Sequence, residues 1–225
     1  MATHTKAVHS RSPKARRQAE ILRAAFQEFA ANGYASARLD DVAKRAKIAK
    51  GTIFLHFRDK KALFRAVLRN SIQRLPASST ASPAEPSLQC ETVLRRLLLQ
   101  LYSEVVENRK ARLLLRLLIA ESEKFPELAE IYYQEIIAPG ASAIQAAIEA
   151  GIESGAFRPA RASAFPQIVA APAILAAIWL LLLGNRHELD LSGYRDAHLD
   201  FVMASLSGEA PSVAADRAAS AEVSS

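Results

Sequence analysis

The sequence predicts an all-α protein of about nine helices, and three observations carry that prediction. Apolar residues recur at spacings of three and four along most of the 225 residues, which is the period of one helix face. Breaks rich in Gly, Pro and Ser separate these runs, chiefly Gly33, residues 75–87 and Gly155 to Pro159. No convincing strand run and no internal repeat stands among them. Half of the residues are hydrophobic, enough to bury a sizeable core. The single cysteine, Cys90, excludes a disulfide framework within the chain and fits a reducing compartment. Met1 to Arg17 carries no apolar run of the kind found in a secretory leader, so a cytoplasmic location is expected.

Each element has a local reason. Residues 1–12 lack periodicity and are read as a disordered basic arm. Ser12-Pro13 starts the first helix, because Ser caps and Pro is tolerated in the first turn. That helix runs to about Asn32 on a face of Leu22, Ala25, Phe26 and Phe29, and Gly33 closes it. Leu39, Val42, Ala43 and Ala46 form a second short apolar face. Lys47, Ile48 and Ala49 interrupt it, and Ile53 and Phe57 begin a third. Asp59 is placed to cap a fourth helix over 60–74, whose Leu63, Phe64, Val67 and Leu68 join the same small core. Residues 13–74 are thus one module, and 75–87, with three Pro and four Ser, are a linker. Helices are expected over 88–107, 109–122, 126–154, 164–185 and 193–206, with Pro139-Gly140 kinking or splitting the third. These make a second module over 88–207, followed by a disordered tail over 208–225.

Residues 39–57 hold two brief helices joined by a tight turn. That is the pattern of a helix-turn-helix, whose second helix enters the DNA major groove; an ordinary αα-corner has the same pattern. Charge separates the two readings. Residues 1–65 carry 15 Lys+Arg against 5 Asp+Glu, a net +10, whereas residues 66–225 carry 14 against 18, a net −4. A solvated basic surface does not explain why the excess sits beside this pattern, whereas a module for double-stranded DNA does.

A third line is a resemblance. Ile21-Leu22-x-Ala24-Ala25-Phe26-x-x-Phe29-Ala30-x-x-Gly33-Tyr34 is followed by Val42-Ala43-x-x-Ala46. Then comes Lys50-Gly51-Thr52-Ile53-Phe54-x-His56-Phe57-x-x-Lys60-x-x-Leu63-Phe64. This run resembles the N-terminal three-helix DNA-binding domain of the TetR/AcrR family of bacterial transcriptional regulators, over residues 16–68, about a quarter of the chain. The resemblance implies a homodimeric regulator, most often a repressor, that binds a pseudo-palindromic operator and is released by a small-molecule inducer. By position it implies major-groove contacts from Lys50, Gly51, Thr52 and Leu55, and phosphate contacts from Phe54, His56 and Lys60. Departures stand at four positions. Lys47 replaces the usual turn Gly and adds a cation near the groove. Ala49 cannot cap as the usual Ser or Thr does. Phe54 lacks the hydroxyl of the usual Tyr. Arg38 replaces a small hydroxyl residue, and its cation compensates as a phosphate contact.

The second module carries diffuse signals. The resemblance implies an apolar inducer pocket with few polar groups, for which Tyr102, Arg112, Arg116, Tyr132, Tyr133 and Trp179 are candidates; each also reads as an ordinary core residue with satisfied polar groups. The five histidines have no metal-ligand spacing, and no phosphate loop, nucleophile elbow or paired carboxylates occur, so no cofactor, metal or catalytic residue is expected. Ala162 to Leu183 holds 22 residues without a formal charge. A membrane-associated helical adaptor anchored by 162–183 is the alternative, but Pro166, Gln167 and Pro172 interrupt its first half. A dimer helix explains the segment better, with Ile168, Ala171, Leu175, Ile178 and Leu182 as one stripe against a partner subunit.

Overall fold

A computed structural model describes residues 12–72, 86–159 and 161–207. Ten α-helices are present among them: α1 (Pro13–Ser36), α2 (Leu39–Ala46), α3 (Lys50–Phe54), α4 (Lys60–Ser71), α5 (Pro86–Leu101), α6 (Arg109–Glu121), α7 (Pro126–Tyr132), α8 (Ala138–Glu153), α9 (Pro166–Leu182) and α10 (Leu191–Ser207). A π-helical turn over Tyr133–Ile137 runs α7 directly into α8, which leaves nine α-helical segments separated by breaks among the described residues, besides a short 3-10 turn over Arg161–Ala164. The expected break at Pro139-Gly140 is thereby realised as a widened turn. Pro139 offers no N–H to the carbonyl four residues back, and the π turn before it reroutes the local bonding. A second π turn, Tyr102–Glu107, prolongs α5. The expected arm, except Ser12, the tail over 208–225 and residues 75–85 of the linker lie outside the described residues. Pro86 and Ser87, expected in the linker, open α5.

The chain divides into two compact units, and the boundary differs from the single linker expected. The first unit comprises residues 1–71 and 113–135; the second comprises 72–112 and 136–225. Residues Leu114, Leu117, Leu118, Leu128 and Ile131 share one core with Ile21, Phe29, Ile53, Leu63 and Phe64. About sixty residues bury too small a fraction of their surface to be comfortably stable, and the later helices supply the missing apolar area.

Within the first unit, the Ser12 hydroxyl accepts from the Ala15 N–H at 3.2 Å and Pro13 opens α1 as expected. Gly33, at φ 76° and ψ 175°, breaks the helix before a last turn over Tyr34–Ser36. Asp59 caps α4, accepting from the Ala62 N–H at 2.7 Å, and that bond holds its carboxyl below the usual range. Phe29, Tyr34 and Phe64 pack with ring centroids 5.4–5.7 Å apart. Arg69 on α4 donates twice to the buried carboxylate of Glu135, at 2.6 and 2.7 Å.

In the second unit, α5, α8, α9 and α10 pack around Leu94, Leu98, Ile144, Ile148, Ala173 and Val202. Asp190 accepts from the Gly193 N–H at 3.0 Å, so α10 starts at Leu191, two residues before the expected 193. His198, buried on α10, lies 3.0 Å from the Tyr102 hydroxyl through Nδ1 and 3.0 Å from the Val169 carbonyl through Nε2. A carbonyl only accepts, so Nε2 carries the proton, Nδ1 accepts, and Tyr102 donates. Burial lowers the His198 pKa despite the opposing bond to Val169. Among the described residues no helix is long and apolar enough to cross a membrane, and α9 holds only 17 residues. The anchored-adaptor alternative is not supported.

Two outcomes follow from these local geometries. Lys47 is the one non-glycine residue with positive φ among the described residues, at 56°. Lys47→Gly should therefore raise unfolding free energy by about 0.5–1 kcal/mol, read by urea titration. An unfolded histidine takes up a proton near pH 6.5, above the lowered folded value. His198 thus supports folding fully above that pH, and stability falls as pH drops below it. A His198→Gln variant should flatten that fall in thermal melts across pH.

Candidate nucleic-acid interface

The reading head begins with two anchors. Val42 and Ala43 fix α2 in the core, and Ile53, fully buried, fixes α3. Phe57, also buried, ends the motif, its N–H bonding to the Ile53 carbonyl at 2.8 Å. Between them Lys47 takes the left-handed conformation that a glycine usually supplies, and its N–H returns to the Lys44 carbonyl at 3.1 Å. Ala49 occupies the cap of α3 without a side-chain bond. Only its carbonyl contributes, accepting from the Thr52 N–H at 2.9 Å. Both departures from the usual motif are thus accommodated by backbone hydrogen bonds.

With Ile53 inward, the remaining residues of α3 face out. Leu55 is 83% and Phe54 48% exposed, while Lys50 and Gly51 are exposed and Thr52 half-buried. A Cβ on Gly51 would meet no atom within 4 Å, so the chain itself does not require glycine there. The open space suits close approach of a ligand backbone. Arg38 is exposed at the cap of α2, and Lys47 is exposed in the turn. Lys50 Nζ lies 2.9 Å from Asp40 Oδ2. That bond, together with the charges of Lys50, Arg38 and Lys44, holds the Asp40 carboxyl below its usual range. Arg38, Lys44 and Lys50 therefore form a cationic cluster beside Asp40, with Lys44 itself paired to Asp41 at 3.2 Å. Beside the turn, Arg17, Arg23, Arg45 and Lys47 line an open groove of about 420 Å³ together with Glu20 and Gln27.

Two further expected phosphate contacts, His56 and Lys60, are both half-buried. His56 is half-buried, its ring 6.2 Å from that of Phe57. Lys60 is turned inward: its Nζ donates to the Ala35 carbonyl at 3.1 Å and stands 4.6 Å from the centre of the Tyr34 ring. Burial lowers the Lys60 pKa, against the charge of Glu121.

Glu28 is a residue that sequence reasoning missed. Its buried carboxylate accepts from Asn32 Nδ2 at 2.6 Å and from Arg45 Nη2 at 3.0 Å, pinning α2 to α1. The signal was present: Glu28 lies seven residues after Ile21 and four after Ala24, on the apolar face.

The six inducer-contact candidates divide between the two units. Tyr102, Arg112 and Trp179 belong to the second unit and Arg116, Tyr132 and Tyr133 to the first. Tyr102 gives its hydroxyl to His198. Arg112 donates to the Val106 carbonyl and Trp179 to that of His187, the latter at 3.1 Å. Arg116 points a guanidinium nitrogen at the Ala30 carbonyl, 3.5 Å away. Tyr132 packs against the first core, its phenol pKa pushed up to about 12 by burial, and Tyr133 is exposed.

Comparison with known proteins agrees with this geometry. Residues 21–67 match the family model of bacterial regulatory proteins of the tetR family. Residues 92–178 match that of the AefR-like transcriptional repressor C-terminal domain. The chain is 32% identical over 143 residues to YhgD of Bacillus subtilis (strain 168), an uncharacterized HTH-type transcriptional regulator, covering 62% of this chain and 71% of that one. It is 30% identical over 117 residues to the HTH-type transcriptional regulator TtgR of Pseudomonas putida. There the match takes in 52% of this chain and only 56% of TtgR, so it spans little more than half the length of that relative. In fold, it is similar to a TetR transcription regulator from Haloarcula marismortui ATCC 43049, with a TM-score of 0.67 and 18% identity, covering 85% and 98% of the two chains. A transcriptional regulator from Saccharomonospora viridis, solved in complex with choline, gives a TM-score of 0.65 at 20% identity over 85% and 97%.

The Lys50–Asp40 pair gives a direct test. Asp40→Asn should release Lys50 and remove a negative charge from the surface. DNA affinity then rises by roughly 2–5-fold, and the slope of affinity against salt steepens by about one per reading head. Titrations across salt concentrations check this; an unchanged slope would show that Asp40 does not restrain Lys50.

Proposed function

As this chain belongs to the TetR family of bacterial regulatory proteins, which are DNA-binding transcriptional regulators and not enzymes, we propose that it is a homodimeric repressor. The observation that carries the reading is the outward set on α3 and at its C-terminal cap, Lys50, Gly51, Thr52 and Leu55, presented by a basic module on buried anchors. One five-residue helix reads only a few base pairs. Two copies related by a two-fold axis read a pseudo-palindromic operator. Duplex DNA as partner places the protein in the cytoplasm.

The second copy is expected on α9. Ile168 and Leu175 are each 56% and Leu182 74% exposed in the single chain. Ala171 is exposed and Ile178 half-buried on the same stripe. Phe201 on α10 adds a further exposed ring. An uncharged face of this kind is disfavoured in water and suits a symmetric helical interface. Ala176, in contrast, is buried within its own chain.

A small, largely apolar inducer is proposed for the second unit, where Tyr102, Arg112 and Trp179 remain the candidate contacts. The similarity of residues 92–178 to a repressor C-terminal domain supports this, as does the choline complex of the Saccharomonospora protein. Release requires the inducer to prefer the state that does not bind DNA.

Selection from a random duplex pool should return an inverted repeat, bound with strong salt dependence. Leu175→Glu should place an unpartnered charge in the interface at a cost of several kcal/mol, giving a monomer by sedimentation that no longer holds the selected site. A selected sequence without two-fold symmetry, or a Leu175→Glu dimer with normal binding, would overturn the reading.

A further inference from the structure

The last residue of α6 serves a distant backbone. Glu121 Oε1 accepts from the Tyr34 N–H at 2.8 Å, and Oε2 accepts from the Ala35 N–H at 2.7 Å. These amides begin the short turn that follows the break at Gly33. The first N–H groups of a helical turn have no partner within it. A carboxylate taking two consecutive ones is a strong, charge-assisted clamp.

Gly33 is required on two counts. Its φ of 76° is costly for any side chain, and a Cβ there would stand 2.1 Å from Glu121 Oε1. Lys60 grips the same dipeptide from α4, through the Ala35 carbonyl at 3.1 Å and the Tyr34 ring. Two residues beyond this turn stands Arg38, at the cap of α2. The corner at Gly33 therefore decides the direction in which α1 hands the chain to the helix-turn-helix.

We propose that Glu121 is a positioning residue for DNA recognition: its carboxylate sets the Gly33 corner and, through it, the placement of Arg38 and the helix-turn-helix against the duplex. Glu121 is not the sole support of the corner. The Tyr34 ring is held independently by Phe29, Phe64 and Phe125, with centroids 5.3–5.7 Å away. What the carboxylate adds is the angle. The proposal rests on the reading head engaging DNA as described above.

Glu121→Gln keeps the shape but offers one acceptor where two are used. Its ratio of affinity for the selected site to affinity for random duplex should fall at least about tenfold, the scale of a lost charge-assisted bond. Binding to random duplex should stay within about twofold, because the outward cations remain. Hydrogen exchange at the Tyr34 and Ala35 amides should quicken while the melting midpoint holds. An unchanged ratio would overturn the proposal, as would equal loss on both DNAs with early melting, which marks a residue that only holds the fold. Should Glu121→Gln melt early, the ratio for Glu121→Asp, which keeps the charge on a shorter stem, decides in the same way. A parent chain that selects no sequence would overturn the operator reading and this proposal together.

Discussion

A helix of five residues cannot keep its shape alone in water, because nucleation costs more than one turn of bonds returns. α3 exists because Ile53 within it and Phe57 just past its end are buried, and the outward residues from Lys50 to Leu55 take their position from those two anchors. The cap adds nothing through its side chain, since Ala49 has none to offer. The anchors in turn need a core larger than the N-terminal residues provide. Leu114, Leu117, Leu118, Leu128 and Ile131 complete it, so the module that faces DNA is built from two separated stretches of sequence.

The acids of that module show how its positive charge is kept on the outside. Each of the five in residues 1–65 has a basic neighbour: Glu20 with Arg17, Glu28 with Arg45, Asp40 with Lys50, Asp41 with Lys44, and Asp59 with Arg58. Glu28 is consumed in the core and Asp59 in a helix cap. Exposed pairs of this kind contribute little stability. Their effect is to cancel the acids locally, which leaves the module with a surplus of Lys and Arg.

The helices were legible in the sequence wherever apolar spacing and a cap coincide. Ser12-Pro13, Gly33 and Asp59 each mark a boundary that local chemistry sets. The turn was legible too, although its residues depart from the usual ones, because the periods on either side of Lys47 do not join. What could not be read is what depends on distant partners. Lys60 is a surface cation by sequence; only the fold turns it onto Tyr34 and Ala35. Glu121 sits in an ordinary polar helix end, 87 residues from the amide it caps. Aromatic and arginine residues in helical spacing serve packing as readily as binding, so the spacing alone does not separate an inducer contact from a core residue.

Trp179 is the one tryptophan in the chain, and its indole N–H is tied to the His187 carbonyl just past the end of α9. Its ring is half-buried on the helix that carries the outward apolar stripe. No indole lies in the first unit, so the molecule's long-wavelength fluorescence originates wholly from this end of α9. The protein thus contains an intrinsic optical reporter for that helix, one whose signal changes when water leaves its surroundings and to which α1–α4 contribute no indole emission.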